Sequence, residues 1–135
     1  MKKLVRVSMS YMIFGLIAGI FYREFTKWND FTGTTQLSVL HAHALILGMF
    51  FSLIVLLLEK NFQLTKEKNY KKFYIIYNIG LGVTLLMMII RGILQVLGSP
   101  ESAAISGIAG LGHIIITVGL AYFFQVLFKA VKEEA

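Results

Sequence analysis

Three histidines and two arginines carry most of the chemistry this sequence can offer. His41 and His43 stand two apart near the start of one apolar run, and His113 stands inside another. Arg91 lies within a third run and Arg23 near the end of the first. An ionisable side chain in hydrocarbon is costly, so a cluster of them points to a site. Imidazole ligates iron, copper and zinc. Guanidinium pairs strongly with carboxylates. Together these residue types would suit a metal, or a metal-bearing cofactor with carboxylate arms.

Spacing limits how the histidines cooperate. Residues two apart on a helix point about 200° apart, so His41 and His43 do not share one metal from a regular helix. A haem takes one axial ligand on each face of its iron. His41 and His113, from different helices, are therefore expected to clamp a b-type haem (heme b), with Arg91 and Arg23 holding its carboxylate arms. His43 would face another helix, a second subunit or a second cofactor. The alternative is a copper or zinc site built from His41, His43 and His113. Met87 and Met88 read as packing residues rather than ligands. Glu24, Glu101 or an anionic ligand would partner Arg91.

The elements that must position these groups are membrane helices. The chain has 135 residues, of which 57% are hydrophobic and 15% charged. Soluble domains carry about 25% charged residues. Four apolar runs stand out, at residues 5–25, 37–58, 73–97 and 104–128. Each exceeds the ~20 residues that cross a bilayer as a helix. The expected fold class is therefore all-α: a single transmembrane domain over residues 1–135, an up-down-up-down four-helix bundle. Lys2, Lys3 and Arg6 before the first run resemble a signal-peptide start, but the run is too long and lacks a cleavage site, so it reads as a span.

Net charge is +6, yet the basic residues sit at the ends of the runs and form no nucleic-acid patch. Lys2, Lys3, Arg6, Lys60, Lys66, Lys68, Lys71, Lys72, Lys129 and Lys132 would all lie on one side, which the positive-inside rule makes cytoplasmic. Both termini are then inside, in a bacterial cytoplasmic membrane. Cysteine is absent, which excludes disulfides and thiolate ligands. Thr34 or Thr35 would cap the second helix, and Pro100 would open the fourth.

Small and polar residues recur on each helix at spacings of three and four. The stripes are Ser8, Tyr11, Gly15, Ala18 and Tyr22; His41, Leu45, Gly48, Ser52 and Glu59; Tyr77, Gly80, Thr84, Met88, Arg91 and Gln95; and Ser106, Gly110, His113, Thr117 and Ala121. Such faces let membrane helices approach, so the four are expected to face one another. Phe50, Phe51, Leu57, Ile89 and Phe123 would face lipid or neighbouring subunits. Gly15 and Gly19, four apart, would support close packing within the chain or in a homo-oligomer.

The His41-Ala42-His43 segment resembles the helix of haem–copper oxidases and nitric oxide reductases that ligates two haems from opposite faces. Followed by Gly48, it also resembles the nitric-oxide-response haem–copper membrane proteins. That resemblance implies that His41 and His43 each ligate a haem. It covers about ten residues, and four spans with three histidines fall short of an oxidase and its copper site. As a whole, with Phe21-Tyr22-Arg23-Glu24-Phe25, the chain resembles a small four-helix family of bacterial membrane proteins with no assigned activity. Electron transfer, haem handling or gas sensing would follow, with a redox protein or quinone as partner. No nucleophile is paired with a base, so an enzymatic role is left open. The remaining reading is a non-catalytic module whose polar residues only hold helices together.

Overall fold

The computed structural model describes residues 1–133 and is all-α. Four helices are long and apolar enough to cross a membrane: α1 Lys2–Trp28, α2 Leu37–Phe62, α3 Tyr70–Val96 and α4, which begins at Ala103 and reaches Glu133. A multi-pass membrane protein follows from their length and composition. A single 3₁₀ turn, Leu64–Lys66, precedes α3.

The third helix is the axis of the molecule. It buries Phe73, Tyr77, Gly80, Leu81, Thr84, Leu85, Met87, Met88, Gly92 and Val96, more than any other helix. Within its apolar window 44% of residues are buried, against 22–28% for the other three, which leave wide apolar faces to lipid. α1 lies along α2, and α4 lies along α3.

Close backbone approach joins α3 to α4. A Cβ on Gly80 would sit 2.6 Å from the Ile116 amide nitrogen, and one on Gly112 would sit 2.6 Å from Thr84 Oγ1. Farther along, Phe51 of α2, Phe73 and Tyr77 of α3 and Phe123 of α4 form an aromatic cluster. Phe51 and Tyr77 have ring centroids 4.5 Å apart, and Phe73 and Phe123 5.2 Å. Phe51 and Phe123 therefore correct the expectation that they face lipid, whereas Phe50 and Leu57 are exposed. A ring surrounded by rings from two other helices gains dispersion and edge contacts that lipid tails do not supply.

The first two stripes meet, α1 against α2. Gly15 lies under Leu45, Gly19 under His41, and Gly48 under the Tyr11 ring. The α4 stripe behaves differently. Ser106, Gly110, His113, Thr117 and Ala121 are all exposed, and α4 instead buries Gly112, Ile116, Gly119, Phe123, Val126 and Ala130. The buried set keeps the same helical period, displaced by one residue from the expected face. Packing against α3 is decided by where glycines meet its backbone, and Gly112 and Gly119 do so where Gly110 does not.

The start of α2 is pinned to the end of α3. Thr35 Oγ1 donates to the Gly92 carbonyl at 2.8 Å and accepts from the Leu37 amide at 3.3 Å. The Gln36 amide donates to Gln95 Oε1 at 2.8 Å. Thr35 thus satisfies an orphan amide at the helix start, as its residue type leads one to expect. These bonds set the height of α2 against α3.

Replacing Gly80 with alanine should destabilise the protein by about 1–3 kcal/mol, because the new methyl meets backbone that has little room to move. The same change at Gly82, where a Cβ would have no neighbour within 4 Å, should be neutral or mildly stabilising. Reversible unfolding in mixed detergent, followed by circular dichroism, measures both. Equal stability of the two variants would contradict the close approach of α3 and α4.

Candidate functional site

A cavity of about 250 Å³ lies among α2, α3 and α4. Gln36, Val39 and His43 line it from α2 and its lead-in, Thr84, Met88 and Arg91 from α3, and Ala109 and His113 from α4. Five of these eight side chains are polar or ionisable groups of a kind that hydrocarbon does not solvate: Gln36, His43, Thr84, Arg91 and His113. That concentration marks a site at the flank of the apolar bundle, open along the exposed face of α4.

Both cavity histidines are oriented the same way. The His43 Nδ1 lies 2.9 Å from the Val39 carbonyl oxygen, and the His113 Nδ1 lies 3.1 Å from that of Ala109. A carbonyl oxygen only accepts, so in each ring Nδ1 carries the hydrogen and donates it one turn back along its own helix. In the neutral ring that leaves Nε2 with a free lone pair. A backbone bond at one nitrogen is the usual device for presenting the other to a metal.

Arg91 is held at the rim. Its Nη2 donates to Glu101 Oε1 at 2.7 Å, and Gln95 Nε2 reaches the same oxygen at 3.3 Å. The Arg91 side chain is 23% exposed and that of Glu101 50%. Arg91 Nε is buried and has no partner among the described residues. The guanidinium hydrogen bond and charge hold the Glu101 carboxyl below the usual carboxylate range.

His41 is elsewhere. It faces α1, where a Cβ on Gly19 would lie 3.7 Å from its Cβ, and its Nδ1 is buried without a partner among the described residues. The expected pairing of His41 with His113 is thus corrected: the histidine that shares a cavity with His113 is His43. The α2 stripe of His41, Leu45 and Gly48 is real, but it serves the α1 contact, and His43 points away from it. Arg23 is also outside the cavity. Its side chain is 81% exposed and lies 3.9 Å from Glu24.

Three cavity residues were not among the candidates from sequence. Gln36, Val39 and Ala109 carry little chemical signal alone. A detectable signal was the Val39–His43 spacing of four, which places both on one face of α2 and repeats as Ala109–His113 on α4. Thr84 and Met88 did belong to the α3 stripe with Arg91, and the three line the cavity together.

The arrangement offers two imidazole lone pairs and a guanidinium. No group of three His, Cys, Asp or Glu side chains is assembled for a metal ion among the described residues. The Thr84 hydroxyl donates to the Gly80 carbonyl at 2.9 Å and is engaged within its own helix.

The Arg91–Glu101 pair should make stability depend on pH. A carboxyl whose folded value is depressed stabilises the fold above its unfolded value, near 4.5, and loses that contribution as pH falls through the folded value. Wild type should therefore melt above a Glu101→Gln variant at neutral pH, and the gap should close in acid. A gap that is constant from pH 7 into acid would show that the charge pair contributes nothing.

No curated protein and no solved structure gives a significant match to this chain. A family model described as a protein of unknown function (DUF2871) matches residues 1–130. That match takes in all four helices, both cavity histidines and Arg91, and the chain belongs to this family.

Proposed function

We propose that the chain is a haem-binding protein of the bacterial cytoplasmic membrane, with His43 and His113 as the axial ligands of a b-type haem. The carrying observation is the pair of imidazoles on one cavity, each with Nδ1 tied to its own helix and Nε2 free. A porphyrin brings four equatorial nitrogens, so two protein ligands complete the iron. A zinc or copper ion held by protein alone asks for three or four. His41, on the α1 side of α2, is not placed to be the third.

Arg91 would hold a carboxylate arm of the porphyrin. Its guanidinium already accommodates one carboxylate, that of Glu101, and keeps Nε unused. The cavity is slightly smaller than the ~300–1,000 Å³ of common ligand pockets. It is bordered, however, by the exposed face of α4, where a Cβ on Gly110 would meet nothing within 4 Å. A porphyrin is then covered partly by this chain and partly by lipid or a second copy along α4.

Iron in a bis-histidine porphyrin supplies one-electron redox chemistry. With His43 and His113 both holding the iron, the group would supply electron transfer rather than gas binding, with a redox protein or quinone as partner. The positive-inside rule applied to the ten basic residues named above supports both termini on the cytoplasmic side, with the helices alternating up and down. The cavity then lies in the outward half.

The reading of the histidines as structural glue has less support. Interhelical hydrogen bonds are made by Ser8, Tyr11, Thr35 and Tyr77. Among the described residues, no histidine ring nitrogen bonds to another helix.

Protein purified from haem-replete cells should show a Soret band that shifts on reduction. Substituting His43 or His113 with alanine should each abolish it, and His41→Ala should keep it. A spectrum unaffected by added haem would overturn the proposal, and stoichiometric copper or zinc without iron would replace it with the metal-site reading. Loss of the band in His41→Ala but not in His43→Ala would reinstate the other pairing.

A further inference from the structure

Within α2, the seven residues Ala44–Phe50 form a π-helix immediately after His43. In a π-turn the amide bonds five residues back instead of four, so one surplus residue is taken into the helix. The exit from the segment shows this directly. The Phe51 amide reaches the carbonyl of Ile46, five residues back, and passes over Leu47, its partner in a regular α-helix.

The passed-over carbonyl is not left bare. Tyr77 Oη, from α3, donates to the Leu47 carbonyl at 2.9 Å. Ser8 Oγ, from α1, donates to the Met49 carbonyl at 3.1 Å. Both donors are 3% exposed. Hydrocarbon offers no water to replace them, so a carbonyl released from the helical ladder needs a protein donor. Tyr77 supplies that donor to Leu47, and Ser8 adds a second bond at Met49, inside the same segment.

We propose that Tyr77 and Ser8 are positioning residues: their hydroxyls hold the π segment, and the segment sets the direction in which His43 faces His113. One surplus residue turns the arm of α2 before the segment by about 100° relative to the arm after it. The later arm is fixed by Phe51 in the aromatic cluster and by buried Ser52 and Val55. Relaxation to a regular α-helix would therefore give the direction now held by His43 to Ala44. The imidazole would leave the cavity. This assignment is independent of which group the two histidines bind.

The chain has no cysteine, so pairs can be introduced cleanly. One pair is His43→Cys with His113→Cys, the other Ala44→Cys with His113→Cys. Each is treated in membranes with a short bis-maleimide, with Tyr77 and Ser8 intact and in a Tyr77→Phe, Ser8→Ala background. Asn69→Cys with Gln125→Cys, a hydrogen-bonded pair joining the start of α3 to α4, reports on the fold. With both hydroxyls present, linkage to position 113 should come from position 43. Without them it should move to position 44, while the Asn69–Gln125 link persists. Deleting Met49 in the same background removes the surplus residue and should return the link to position 43, a rescue that mere loss of packing would not give. Linkage that stays at position 43 when both hydroxyls are gone would overturn the proposal, as would failure of the deletion to restore it. No cofactor enters this measurement, so its failure is separate from failure of haem binding.

Discussion

Within a bilayer, a polar group that the protein does not satisfy stays unsatisfied. Much of this molecule is arranged around that constraint. The hydroxyls of Ser8, Thr35 and Tyr77 each reach a backbone carbonyl on a different helix, and that of Tyr11 reaches the Asn78 side chain. The first three bonds all involve α2 or its lead-in. They hold the π segment from two sides and fix the start of the helix against the end of α3. The second helix is thus located by directional bonds, whereas α4 is located by close packing of Gly112 and Gly119 against α3.

The same constraint separates the histidines. His43 and His113 satisfy Nδ1 within their own helices, and among the described residues no group on a neighbouring helix bonds their other nitrogen. A side chain retained for interhelical adhesion would be expected to spend its donor or acceptor across the interface, as Tyr77 does. The imidazoles instead keep one lone pair each on a shared cavity, beside a guanidinium with an unused nitrogen. His41 fills a different role, packed over Gly19 in the α1–α2 contact.

At the rim, Arg91, Gln95, Glu101 and Gln36 form one connected set spanning α3, the α3–α4 connection and the start of α2. A movement of the Glu101 connection therefore bears on the arginine that faces the cavity. It bears also, through Gln95, on the entry of the helix that carries His43.

Four apolar runs and their helical state were legible in the amino-acid order, because length and hydropathy are local properties; the cap was legible as Thr34 or Thr35 and the Arg91 partner as Glu24, Glu101 or an anionic ligand, and the structure selects Thr35 and Glu101. The α3 stripe was legible too, since a helix buried on many sides exposes its small and polar residues as one pattern. The facing of α2 and α4 was not. Two faces of α2 carry a histidine, and the small-residue pattern that favours His41 marks only a close neighbour, which proved to be α1. On α4 two overlapping glycine patterns, one through Gly110 and one through Gly112, differ by a single residue, and contact with the α3 backbone selects the second. The π segment leaves no mark in Ala44–Phe50 themselves, because the hydroxyls that bond its carbonyls come from Tyr77 and Ser8, 30 and 41 residues away along the chain. The sequence by itself determined that His41, His43, His113 and Arg91 sit within apolar helices. Only the tertiary structure decided that His43, and not His41, shares a cavity with His113, because helix azimuth is set by the neighbours that supply hydrogen bonds and close contacts.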